Sequence, residues 1–174
     1  MTREPMAGTV PTADSTEAPG ASVVFRVGLA VAVAVILIRT VGGTFANDWE
    51  GWGTFLMQAS AALVEGGLWA ALTFGLLVRI GLRSGSSGHN RPARAALLGG
   101  VLGILSFAVF FTGAPVVVGA GVIMLAFEGL RRARSGMGGR GAAHAGLALG
   151  AVTVAVALGF YATTLVDGIL TYWI

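Results

Sequence analysis

From Ala95 to Leu130 the chain runs for about 36 residues with Glu128 as the only charge. At 1.5 Å per residue, one helix of that length would reach about 54 Å, well beyond a hydrocarbon core of about 30 Å. The run has to fold in two. Thr112-Gly113-Ala114-Pro115 is the natural hinge, because glycine admits the turn and Pro115 begins a helix better than it continues one. Two limbs result, at about 95–111 and 114–130.

Three more apolar runs lie outside this pair: about 22–41, with only Arg26 and Arg39 towards its ends; about 54–78; and about 142–165, with Tyr172 and Trp173 just beyond. Hydrophobic residues make up 55% of the 174 residues and charged ones 11%, against about 25% charged in a soluble domain. Mean hydropathy is +0.82. The expected fold is an all-α, polytopic integral membrane protein with five transmembrane helices. The alternative is three spans plus a re-entrant hairpin, in which limbs of about 17 residues would fail to cross. Residues 1–21 lack apolar periodicity and read as a disordered cytoplasmic tail; residues 22–174 read as a single helical membrane domain. A cleaved signal peptide competes for the first run, but Thr44-Phe45-Ala46 is a poor cleavage site and the preceding tail is long and acidic-leaning.

All eleven basic residues are arginine, a bias that, with the excess of Ala, Gly and Val, matches the codon usage of a GC-rich bacterial genome. Eight of them fall in two loops: Arg79, Arg83, Arg91 and Arg94 after the second span, and Arg131, Arg132, Arg134 and Arg140 after the fourth. Five spans place both loops on one side, which the positive-inside rule makes cytoplasmic. The loop between the first two spans carries Asp48 and Glu50 with Trp49 and Trp52 and no base, as an outer, aromatic-belt loop would. The N-terminus is therefore expected in the cytoplasm and the C-terminus outside, in the plasma membrane. The sequence pI of about 10.6 reflects these loops, and no nucleic-acid partner is expected.

Helix association in lipid leans on close packing at small residues. Gly99-x-x-x-Gly103, Ala142-x-x-x-Gly146-x-x-x-Gly150, and Gly119, Ala126 and Gly129 each gather on one helix face. They predict a tight subbundle of spans three to five, and they also offer a face for an oligomer. Arg91-Pro92-Ala93-Arg94, the glycine-rich hairpin, Arg131-Arg132-Ala133-Arg134-Ser135-Gly136, and Gly139-Arg140-Gly141-Ala142-Ala143-His144-Ala145-Gly146 with Leu147 to Gly150 complete a recognisable pattern. Over residues 93–160 this half resembles a small actinobacterial membrane domain of unknown function. The resemblance implies a membrane location and a helical hairpin, and no activity.

Glu65 is the main candidate for chemistry, because an acid about eleven positions into the second span lies near the expected midplane, where ionised groups are costly and usually functional. Gln58, Ala61, Trp69 and Thr73 fall near it at helical spacing, so Glu65, Gln58 and Thr73 form a candidate intramembrane polar site. It could hold a cation or relay protons; the plainer expectation is a neutral, hydrogen-bonded Glu65 that fixes how the span packs. Arg39 and Asp167, at similar depth near the outer ends of the first and last spans, form a possible outer clamp, with Asp48 and Glu50 competing for the same arginine. Glu128 precedes Arg131 and Arg132 by three and four positions, a spacing for local pairing.

Gly136-Met137-Gly138-Gly139-Arg140-Gly141 matches G-x-G-x-x-G, but nucleotide binding requires a preceding strand and a later acid. Arg131, Arg132, Arg134 and Arg140 are expected to meet anionic lipid head groups. His89 and His144 make a poor metal site, the chain has no cysteine, and no serine shares a depth with a histidine. No catalytic residue, cofactor or metal is expected. The function expected is that of a non-enzymatic packing subunit or scaffold of a membrane assembly, with lipid bilayer and other membrane proteins as partners. The alternative is a small transporter or channel using the polar stripe around Glu65.

Overall fold

The computed structural model describes residues 21–46, 51–83 and 89–173; the expected tail, Asp48, Trp49, Glu50 and the serines of the loop after Arg83 lie outside them. Every described element is helical, and five helices are long and apolar enough to cross a membrane. Helix α1 is Ala21–Ala46. Helix α2, Trp52–Leu82, is wound as a π-helix over Ala71–Val78. Helix α3 is Arg91–Leu105, tightening into a 3-10 segment over Ser106–Thr112. Helices α4, Ala114–Arg134, and α5, Arg140–Trp173, complete the chain.

The helices that hold the two limbs are Arg91–Val109, of 19 residues, and Ala114–Arg134, of 21, each including arginines that flank the apolar run. They join where the sequence places the hinge. Gly113 has φ 77°, a left-handed conformation that disfavours a side chain, and Pro115 stands in the first turn of α4. The Thr112 hydroxyl donates to the Val109 carbonyl at 2.7 Å, closing the turn.

Several helix ends differ from the expected ones. α1 continues past 41 to Ala46, and α2 reaches from Trp52 to Leu82 rather than 54–78. α4 extends to Arg134, and α5 runs to Trp173, so the backbone of Tyr172 and Trp173 belongs to the helix. α3 begins at Arg91 but its α-winding stops at Leu105, with a break at Val109 (φ −124°, ψ 34°) before the hinge. For α2 and α4 the physical reason is shared. An apolar run ends where charge begins, but helical hydrogen bonding does not, and arginine is a good helix former.

α4 is the central element, with 67% of its spanning window buried against 22–39% in the other four helices. It packs on α3 and α5, which also pack on each other, and α1 pairs with α2 along the outside. Glycines bring the subbundle together. A Cβ on Gly146 would meet the Ala96 backbone at 2.7 Å, and one on Gly129 the Ala93 backbone at 2.8 Å. A Cβ on Gly119 would stand 3.0 Å from the Gly150 carbonyl oxygen, and one on Gly150 3.1 Å from that of Gly119. The small-residue faces of spans three to five are thus used inside the chain, which accounts for a core of small and β-branched residues such as Ala96, Val117, Val122 and Ala126.

Candidate functional site

The relative level of the helices follows from their contacts. Gly28 on α1 stands against Phe74 on α2, and Gly66 on α2 against Ile36 on α1. The two helices therefore run antiparallel, with Arg39 level with Glu65, and these two side chains form an ion pair. The Arg39 stem passes the hinge, 3.3 Å from where a Gly113 Cβ would stand. On α5, the Tyr161 hydroxyl shares a hydrogen bond with the Gly113 backbone and lies in the fields of Arg39 and Glu65. One polar junction ties α1, α2, the α3–α4 hinge and α5 together.

This arrangement bears on two sequence expectations. Glu65, thirteen residues from the start of α2 and seventeen from its end, stands level with the hinge and is paired with Arg39. Arg39 is engaged by Glu65, while Asp167 stands exposed further along α5. The reason is the extension of α1 to Ala46, which sets Arg39 well inside the helix rather than near its end. The polar stripe also divides. Gln58 and Trp69 are half-buried and Ala61 is exposed, whereas Thr73 is buried against Gly121 on α4. Residues eight apart are about 80° apart around an ideal helix, so Glu65 and Thr73 serve different interfaces. Tyr161 had no motif around it; its only signal was a polar-tipped aromatic towards the outer end of the last span.

A second junction lies at the opposite end. Glu128, 5% exposed, accepts from Arg131 (2.9 Å) and Arg132 (2.8 Å), the local pairing that the spacing predicts. Arg132 also donates to the Leu82 carbonyl at 3.2 Å, satisfying one of the orphan acceptors that end α2. Asn90 caps α3, accepting from the Ala93 N–H at 3.3 Å and donating to the Gly129 carbonyl on α4 at 2.7 Å. Two of the four arginines expected to meet lipid head groups are therefore engaged by Glu128, and Arg134 and Arg140 are exposed. Gly136 and Gly139, with φ 93° and 91°, shape the turn between α4 and α5 and follow a helix, so the G-x-G-x-x-G match lacks its strand. His89 is exposed, and the His144 ring Nδ1 hydrogen-bonds to the Arg140 carbonyl at 2.9 Å. Among the described residues no cluster of three potential metal ligands occurs.

Between the two junctions, α1 and α2 enclose an open groove of about 1020 Å³. Gly28 and Ala32 of α1 line it together with Gly67, Ala71 and Gly75 of α2, and Arg79, Arg83 and Arg91 line one end. Part of its α2 wall, at Ala71, Phe74 and Gly75, is the π-helical segment, a winding found mostly as short insertions and often at functional positions. Sequence reading treated these arginines only as an orientation signal. Comparison with known protein families, curated proteins and solved structures gives no match to this chain.

Proposed function

We propose that the chain is a multi-pass cell-membrane protein with its N-terminus in the cytoplasm, acting without catalysis as a packing subunit or scaffold of a membrane assembly. The observation that carries this reading is the Arg39–Glu65 pair beneath Gly113. A charge pair held between helices locks their register, and an acid engaged by a fixed arginine has its charge already balanced, whereas a relay needs an acid free to exchange its proton or ion. The two arginine-rich loops on one side support the orientation, and the hairpin implied by the resemblance over residues 93–160 agrees with a membrane location. The large exposed apolar side chains of α1 and α2, Phe25, Leu29, Leu37, Leu63 and Val64 among them, are suited to lipid or to another membrane protein.

The alternative of a small transporter or channel rests on the same acid. Reconstituted in proteoliposomes, wild-type protein and Glu65→Gln are expected to give the same proton and cation flux as empty vesicles. A pH-dependent flux present in wild type and lost in a folded Glu65→Gln protein would replace the scaffold reading with transport.

A further inference from the structure

The geometry points to the α1–α2 groove as a binding site for an anionic glycerophospholipid, its phosphate held by Arg79, Arg83 and Arg91 and one acyl chain lying along the helices. The inference rests on the membrane reading above but not on the scaffold role. Its first support is shape. The groove is concave and, at about 1020 Å³, at the upper end of the range that holds small ligands. From Gly67 to Arg79 its α2 wall rises by no more than about 18 Å, close to the depth of one leaflet. The groove stays open because its walls are thin there: no atom stands within 4 Å of a Cβ built on Gly67 or Gly75. The glycines of α3 to α5 that form the subbundle, by contrast, meet a neighbouring helix.

The second support is charge. Among the described residues no carboxylate pairs with Arg79, Arg83 or Arg91, while Arg131 and Arg132 share Glu128. The three lining arginines gather at the end of the groove where the polar loops begin, so the apolar trough ends in guanidinium groups at head-group level. Guanidinium binds phosphate oxygens in a bidentate fork, and basic pockets between membrane helices on the cytoplasmic side select anionic head groups. A zwitterionic lipid fills the trough equally well but brings its own cation against three arginines.

The test is native mass spectrometry of the full chain purified in mild detergent, with phosphatidylglycerol or phosphatidylcholine of the same acyl composition added in turn. Wild type is expected to retain one phosphatidylglycerol at least ten-fold more tightly than phosphatidylcholine. The Arg79→Gln/Arg83→Gln/Arg91→Gln protein should lose that preference, and Arg134→Gln/Arg140→Gln should keep it. Gly75→Leu, whose side chain enters open space, should lose retention with every arginine intact. Equal retention of both lipids by wild type overturns the proposal, as does wild-type behaviour of the triple variant or of Gly75→Leu, or an equal loss in the Arg134/Arg140 control. A lipid-free dimer mass overturns it in favour of a second copy in the groove. Alkaline carbonate extraction separates the two levels: release from membranes fails the membrane reading itself, whereas a protein that stays in membranes and binds no phosphatidylglycerol fails only the groove.

Discussion

The Asn90 side chain donates to the carbonyl of Gly129, 39 positions away, at 2.7 Å. The same amide caps α3, so one buried residue both starts a helix and fastens it to the C-terminal half of its partner. Asn90→Ala is expected to cost about 2 kcal/mol, about 1 for the cap and about 1 for the interhelical bond. Asn90→Ser, which caps but does not reach Gly129, should cost about half of that. Reversible unfolding in mixed micelles checks the order; equal losses would show that only the bond to Gly129 matters.

Gly146 and Gly129 should resist the smallest enlargement, because the atoms that a Cβ would meet at 2.7 and 2.8 Å are backbone. Each Gly→Ala change is expected to destabilise by about 1–3 kcal/mol, as overpacking does. Gly159→Ala meets nothing within 4 Å and should be neutral or stabilising by up to about 1 kcal/mol, the intrinsic helix preference of alanine. Melting temperatures of the three proteins in one detergent provide the comparison, and a loss at Gly159 as large as at Gly146 would contradict the packing described.

For Arg39 and Glu65, single replacements by Gln should each lower stability, since each leaves a partly buried charge without its partner. A double-mutant cycle should return a coupling of about 1–3 kcal/mol. The exchanged pair Arg39→Glu/Glu65→Arg should recover part of it. Additive single losses would mean that the two side chains do not act as a unit. Tyr161→Phe should weaken the coupling, since its hydroxyl lies in the field of both.

Orientation is open to direct labelling. Cysteines placed at Ser86 and Ser135 in this cysteine-free chain should react with a membrane-impermeant maleimide only after the cytoplasmic face is exposed. One at Asn47 should react in intact cells. Labelling of position 86 from outside would reverse the proposed topology.

The number of helices and the hinge were readable from sequence because they depend on quantities local to the chain. A 36-residue apolar run exceeds any single crossing, Gly113 followed by Pro115 suits only a turn, and Glu128 must lie beside residues three and four positions on. The close approach of α3, α4 and α5 was readable too, since glycines at a spacing of four mark a face whatever that face meets. Helix ends were read less well: hydropathy marks where a helix leaves an apolar environment, and hydrogen bonding carries α1, α2, α4 and α5 beyond that point. What only the tertiary structure decided is which helices stand level with which. Arg39 meets Glu65 because α1 and α2 are aligned by Gly28 on Phe74 and Gly66 on Ile36. Thr73 parts from Glu65 because α4 occupies its side of α2, and three arginines become a site only because a groove opens beside them. These outcomes depend on the relative translation and rotation of packed helices, which are set by contacts between residues distant in sequence and leave no periodicity along any one of them.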